Sequence, residues 1–513
     1  MERRRFLRQV GLALLAGSCR PAPSLSQSVD RPPGTRARDV FDDCVRRARA
    51  RLRGRPIGPP SSVPRELRGI DFDQYRAIRF RPDRALWRGG PFEAQFFHRG
   101  FYYGRAVEVR VHDAGESRRL RFDPADFEYP EDLAPERFDG LGFAGLRLHA
   151  PLNTASYHDE VLVFLGASYF RSLGRGNVYG LSARCLSVDT GLEGPEEFPE
   201  IVTLHLITPD AANDVAHIVA EVRSPRIEAA FHFEVAPGAP TEIDVDAAVF
   251  LREPVDQLGL APLTSMYLFG EDRPARFEDY RPEVHDSDGL VLRTESGEQL
   301  FRPLRNPSRT TLSTFRVDRP RAFGLVQRDR DFRSYQDREA RYDRRPSALV
   351  TPLEGWSAGS VRLLEIATRL ETDDNIGAFF VPDEPGQRLR YRYRIRFGDE
   401  AGANGAHVVA LRTGRPEATV RPDAHGPTDG LFVVDWAGAP IHDGVDARVD
   451  AQGARVVERR VERDDERGLL CLVLRLEAER DDVELRAFLH HDSNALGETL
   501  SYLWQPNTPG SPT

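Results

Sequence analysis

A chain of 513 residues is too long for one compact core, and its length predicts about two to four domains. With 40% hydrophobic and 29% charged residues the composition is that of a globular protein, which excludes a largely disordered chain. The formal net charge of −9 argues against nucleic acid or an anionic membrane as main partner and is compatible with a neutral polymer.

The chain opens with Arg3-Arg4-Arg5-Phe6-Leu7-Arg8 ahead of an apolar stretch from Val10 to Gly17. This looks like a twin-arginine export signal over residues 1–19 and predicts a periplasmic protein. The apolar stretch is far short of the ~20 residues that span a bilayer. Leu14-Leu15-Ala16-Gly17-Ser18-Cys19 loosely resembles a lipoprotein cleavage box, so lipid anchoring through Cys19 and ordinary cleavage both stay open. The other cysteines, Cys44, Cys185 and Cys471, have no paired spacing, which excludes a zinc ribbon or a thioredoxin-like motif. All 71 basic residues are arginine, which a base-composition bias explains without a functional reason.

Residues 20–36, rich in Pro and Ser, read as a polar linker, and residues 37–385 as one large domain. Val40, Phe41, Cys44, Ala48 and Leu52 recur at helical spacing and predict a helix over Val40–Leu52. From about residue 70 short alternating runs replace helical periodicity: 106–111, 161–165, 230–235, 247–251 and 290–293. Period-two alternation between Gly, Pro, Asn and Asp turns predicts antiparallel β structure. The lack of recurring amphipathic helices argues against an α/β barrel. Pro382-Asp383-Glu384-Pro385-Gly386 reads as a boundary. Seven short runs beyond it, from Leu389–Phe397 to Thr499–Trp504, predict an immunoglobulin-like sandwich over residues 388–507. The fold class is therefore all-β.

Two acidic segments carry the chemistry. Arg281-Pro282-Glu283-Val284-His285-Asp286-Ser287-Asp288 and Glu371-Thr372-Asp373-Asp374-Asn375 read as loops between strands, where catalytic groups usually sit. Two separated acids near aromatics are what glycoside hydrolysis requires, one to protonate a leaving oxygen and one to help activate water. Asp286 and Asp288 alternate and also suit a cation, but the dense oxygen spacing of a calcium loop is absent, so no metal is expected. Ser287 between them can pass a proton through its hydroxyl. The stretch from Arg328 to Arg345 holds seven arginines against five acids and reads as a solvated, salt-bridged face. Within it Tyr335 and Tyr342 are candidates to stack on or hydrogen-bond sugar rings, as is Trp356, for which a core position is an equal rival. Asp288, Tyr335 and Trp356 are the candidate substrate contacts. His98, His149 and His285 read as structural histidines, since no H-E-x-x-H pattern exists. No Gly-x-Ser-x-Gly elbow or P-loop appears either.

Several segments in one order resemble the periplasmic glucans biosynthesis proteins G and D. They include Gln95-Phe96-Phe97-His98, Leu141-Gly142-Phe143-Ala144-Gly145, Phe164-Leu165-Gly166-Ala167-Ser168-Tyr169-Phe170-Arg171 and Tyr179-Gly180-Leu181-Ser182-Ala183-Arg184. Leu258-Gly259-Leu260-Ala261-Pro262-Leu263-Thr264-Ser265-Met266, His285-Asp286-Ser287-Asp288, Phe323-Gly324-Leu325, Asp331-Phe332 and Arg345-Pro346-Ser347 extend the match from about residue 70 to 382. The twin-arginine start looks more like the D branch. The resemblance implies a large mutarotase-like β-sandwich followed by the immunoglobulin-like domain. It also implies an anomer-inverting, endo-acting β-1,2-glucanase with no cofactor. The family's Glu-Thr-x-Asp-Asn motif makes Asp374 the general acid, and its His-Asp-Ser-Asp motif puts Asp286 at the far end of a proton relay; Ser287 and Tyr342 are supporting candidates from the reading of the residues themselves. The expected partner is β-glucan. A non-catalytic glucan-binding factor working with a membrane glucosyltransferase is the alternative, and a lyase on the same sandwich is a third reading.

Overall fold

The computed structural model describes residues 35–113, 116–131, 133, 135–210, 214–273, 278–399, 403–416, 428–440 and 444–506. The expected export signal, Cys19 and the linker up to residue 34 lie outside them. The chain is nearly all β, as the alternating runs predict. Among the described residues no helix is long and apolar enough to cross a membrane. The chain divides into two compact units, Met1–Tyr179 with Glu197–Asp256 and Pro385–Arg392, and Gly180–Glu196 with Gln257–Glu384 and Tyr393–Thr513.

In the first unit the expected helix runs over Thr35–Arg51, so it begins inside the stretch read as linker. Phe41, Cys44 and Ala48 pack on Val219, Ala230 and Ala248 of the neighbouring sheet. That sheet runs in the order Glu116–Arg119, Glu108–Asp113, Glu200–Ile207, Ala216–Arg223, Ile227–Ala236 and Thr241–Leu251, antiparallel except where Glu108–Asp113 meets Glu200–Ile207. A second run of strands, Glu93–His98, Phe143–Thr154, Tyr157–Leu165 and Tyr169–Ser172, faces it. Phe164 and Phe170 meet Phe233 edge-on at 5.1 and 5.3 Å between ring centroids.

In the second unit one run of strands is ordered Ser182–Arg184, Leu258–Ser265, Ile376–Pro382, Gly359–Glu365 and Thr311–Val317. Another is ordered Val445–Gln452, Val483–His491, Asn494–Trp504, Gln299–Pro303, Gly289–Thr294, Pro320–Val326 and Ser347–Glu354. A four-stranded sheet, His407–Gly414, Asp429–Ala437, Leu469–Ala478 and Ala454–Asp464, packs on the latter through Phe432, Tyr502 and Trp504.

The C-terminal strands appear where expected, with one more over Val445–Gln452, whose polar sequence hides it. They do not form the separate domain expected from a boundary near residue 385. The strand Asn494–Trp504 pairs in parallel with Gln299–Pro303, and one core unites Val291, Phe301 and Val326 with Val408, Trp436 and Leu500. Ion pairs fasten the same seam, that of Arg328 with Glu498 being buried on both sides. Arg302 reaches Glu484 at 2.8 Å and Ser501 at 3.0 Å, and Arg328 reaches Glu498 at 2.8 Å. Shared burial and a shared sheet therefore override the composition change near residue 385.

Candidate functional site

The strand Leu258–Ser265 runs into the short strand Tyr267–Phe269, and both acidic segments hang on this junction. Val284–His285 pairs with Tyr267–Phe269, and the Asp286 N–H donates to the Met266 carbonyl at 2.8 Å. The Asn375 side chain accepts from the Tyr267 N–H at 2.9 Å and donates to the Tyr267 and Ile366 carbonyls at 2.9 and 3.1 Å. Neighbouring residues 266 and 267 thus anchor Asp286 and the residue that follows Asp374. Asp286 is buried, while Asp374 is half-buried on its turn.

The turn before Asp374 is closely braced. Asp373 accepts from the Thr368 hydroxyl at 2.6 Å, and the Leu370 N–H donates to the same Oγ1 at 3.0 Å. Glu371, which opens the motif, is gripped by Arg281 through both oxygens at 3.0 and 2.9 Å. Arg281 also holds Asp337 at 2.9 Å and Asp279 at 2.6 Å. Burial disfavours the Arg281 charge, but hydrogen bonds from Asp279 and Glu371 outweigh it and raise its pKa. The Tyr342 hydroxyl donates to Glu371, and burial followed by the charges of Glu371 and Asp286 holds that phenol protonated. Arg345 completes the circuit. Its guanidinium lies 3.6 Å from the Asp286 carboxylate and over the Tyr342 ring at 5.2 Å. The two acidic segments are therefore joined by a chain of charge and hydrogen bonds through Tyr342.

His285 lies between Glu283, 2.8 Å from Nε2, and Gln327, 3.0 Å from Nδ1, with Tyr267 stacked on its ring at 5.2 Å. Burial alone lowers its pKa, but the Glu283 hydrogen bond and charge, with Asp288 and Gln327, push it up to about 9. It is thus a charged pillar beside Asp286. Ser287 is fully buried, with its hydroxyl 2.9 Å from that of Ser265.

The three expected substrate contacts have other work. Asp288 accepts the backbone amides of Arg328 and Asp329 at 2.6 and 3.0 Å, so its carboxylate fastens a loop. Tyr335 is 0% exposed, in a core cluster with Met266 and Tyr342 and edge-on to His285 at 5.2 Å. Trp356 is 9% exposed, its ring among Phe323, Phe380 and Tyr393 at centroid distances of 6.2, 5.1 and 6.3 Å. Apolar packing takes both rings inward: for Trp356 this is the core position that was an equal rival, and for Tyr335 it stands against a face presented to sugar. The arginine-rich stretch is likewise not uniformly solvated: Arg328 and Arg345 are committed to buried partners. Sequence reasoning assigned no role to Glu371, Arg281, Arg345, Glu283 or Gln327. The alternation of charge in residues 279–283, the Glu that opens the Glu-Thr-x-Asp-Asn motif and the Arg of Arg345-Pro346-Ser347 are visible signals, but they do not name partners such as those 56 and 90 positions from Arg281.

In the first unit, Cys44, His205 and Glu221 bring three metal-type donors together. Arg47 Nη2 lies among them, 3.0, 3.4 and 2.9 Å from Sγ, Nε2 and Oε1, so a guanidinium already supplies the positive charge.

Residues 40–504 match the family described as periplasmic glucan biosynthesis protein, MdoG. A glucans biosynthesis protein G of Ralstonia nicotianae is 43% identical over 487 residues, covering 91% of this chain and 96% of that protein. One of Rhodopseudomonas palustris is 40% identical over 514 residues, covering 97% and 99%. Another, of Vibrio cholerae, is 40% identical over 402 residues, covering 77% and 73%. These relatives carry the letter G, not the D expected from the N-terminal arginines, which lie outside the described residues.

Proposed function

Since this chain belongs to the MdoG family of periplasmic glucan biosynthesis proteins, we propose that within glucan biosynthesis it cuts β-1,2-glucan backbones by inverting, endo-acting hydrolysis. Asp374 gives its proton to the leaving glycosidic oxygen as the C–O bond breaks. Water attacks the anomeric carbon from the opposite face, and its proton passes through a chain of hydroxyls and water to Asp286. The observation that carries the reading is the anchoring of both acid segments on Met266 and Tyr267. A half-buried acid on a turn suits contact with substrate. A buried one with a guanidinium counter-charge suits the end of a relay. The roles of acid and relay end come from the family resemblance, and the linkage through Tyr342 supports them.

Twin-arginine export, or a lipid anchor at Cys19, is how such a chain would reach a periplasmic glucan. The relatives' names, which speak of biosynthesis, favour a second reading, a glucan-binding assembly factor that works with a membrane glucosyltransferase.

The test is incubation of the purified protein with linear β-1,2-glucan, following new reducing ends and product sizes. Short oligosaccharides that vanish with Asp374→Asn, while glucan binding persists, uphold the hydrolase. Binding without cleavage by the unaltered protein moves the assignment to the assembly factor. Cleavage retained in full by Asp374→Asn removes that residue as the acid.

A further inference from the structure

With Tyr335 and Trp356 turned inward, the second unit needs another aromatic if it is to hold a sugar ring face to face. Among its described residues the only strongly exposed large aromatic is Tyr280, at 69%. We propose that Tyr280 is the stacking platform on which a neutral glucan chain rests beside the Asp374 turn, an inference that rests on the glucan-cleaving reading above.

Tyr280 is exposed but firmly held. Asp279 before it accepts from both the backbone N–H and the Nε of Arg281, each at 3.0 Å, and Arg281 itself is buried. The guanidinium then carries this short segment to Glu371, as a two-pronged ion pair at 3.0 and 2.9 Å. Glu371 precedes Asp374 by three residues, which limits the chain between them to about 11 Å. A second exposed apolar side chain, Leu370 at 59%, sits next to Glu371 at the other end of the same ion pair. One clamp thus presents an aromatic and an aliphatic group at the rim of the turn that bears the acid. Isolated exposed apolar residues are ordinary. Two of them, each one residue from either partner of a buried clamp, form a placed pair.

The local charge selects the kind of polymer. Asp279, Asp337 and Glu371 share one guanidinium, which leaves the clamp itself net negative and disfavours an anionic polysaccharide against it. A neutral glucan meets no such repulsion, and the C–H face of a glucose ring suits the negative face of a phenol. Because Tyr280 touches no reacting atom, it acts on binding and leaves the chemical step alone.

The experiment measures retardation of the protein by linear β-1,2-glucan in native gels, in an Asp374→Asn background so that the polymer stays intact. Tyr280→Ala should weaken binding about tenfold, and Tyr280→Phe and Tyr280→Trp should stay within about twofold of the parent. With Asp374 restored, Tyr280→Ala should raise KM and leave kcat close to the parent value. Unchanged binding by Tyr280→Ala overturns the inference, and so does an equal loss in Tyr280→Phe, which would assign the effect to the hydroxyl. Weakened binding in Tyr280→Ala together with no cleavage by the unaltered protein defeats the hydrolase reading and leaves the platform standing. Cleavage with unchanged binding defeats the platform alone.

Discussion

The side-chain amide of Asn375 pairs with both backbone polar groups of Tyr267, accepting from its N–H and donating to its carbonyl at 2.9 Å each. It mimics one rung of a β-ladder, and so docks the residue after Asp374 onto the edge of a strand. Asn375→Ala removes this rung and leaves buried groups unpaired. It should lower stability by about 1–3 kcal/mol and reduce glucan cleavage, read from urea midpoints and reducing ends. Asn375→Asp should cost as much, because it puts a carboxylate oxygen where the Asn375 amide now donates hydrogen bonds to the Tyr267 and Ile366 carbonyls.

Arg281 is the shared partner of three carboxylates, and its loss leaves them facing one another. Arg281→Met should destabilise the protein by about 3–5 kcal/mol. Glu371→Gln should cost less, since Arg281 keeps Asp279 and Asp337. Chemical unfolding of the two variants gives the order directly, and an equal cost would show that Glu371 carries the whole clamp.

His285 gives the fold a pH dependence of definite sign. Its folded pKa of about 9 lies above its ordinary value of 6.5, so protonation favours the native state. That contribution is fully present below about pH 6.5 and is lost as the pH rises through about 9. Urea midpoints should fall between pH 6 and pH 9.5, and His285→Gln should flatten the fall (both values are about half a unit outside the window).

Trp356 is expected to behave as a core residue. Trp356→Ala should lower stability by about 3–5 kcal/mol while the folded variant retains its affinity for glucan. A stable variant with weakened glucan binding would return this ring to the substrate.

Much of the architecture is legible in the sequence because strand periodicity is local. The runs at 230–235 and 247–251 appear within strands Ile227–Ala236 and Thr241–Leu251. Asp374 and Asp286 stand out because acids beside turn residues form recognisable segments. What the chain does not advertise is pairing at a distance. Nothing local says that Tyr335 faces His285 and not solvent, that Asp288 caps amides 40 residues on, or that the strand ending at Trp504 joins one begun at Gln299. An aromatic in a charged stretch looks the same whether it is a platform or a prop, and burial decides between them.

The parallel pairing of Gln299–Pro303 with Asn494–Trp504 also sets a timetable. Gly289–Thr294, which continues directly from Asp288, takes Gln299–Pro303 as one neighbour, and that strand waits for partners made almost 200 residues later. A growing chain on the ribosome therefore holds the Asp286 segment with its sheet unfinished until Asn494–Trp504 is made. Such long-range closure predicts slow folding, and chains released before Asn494 would emerge with that seam open.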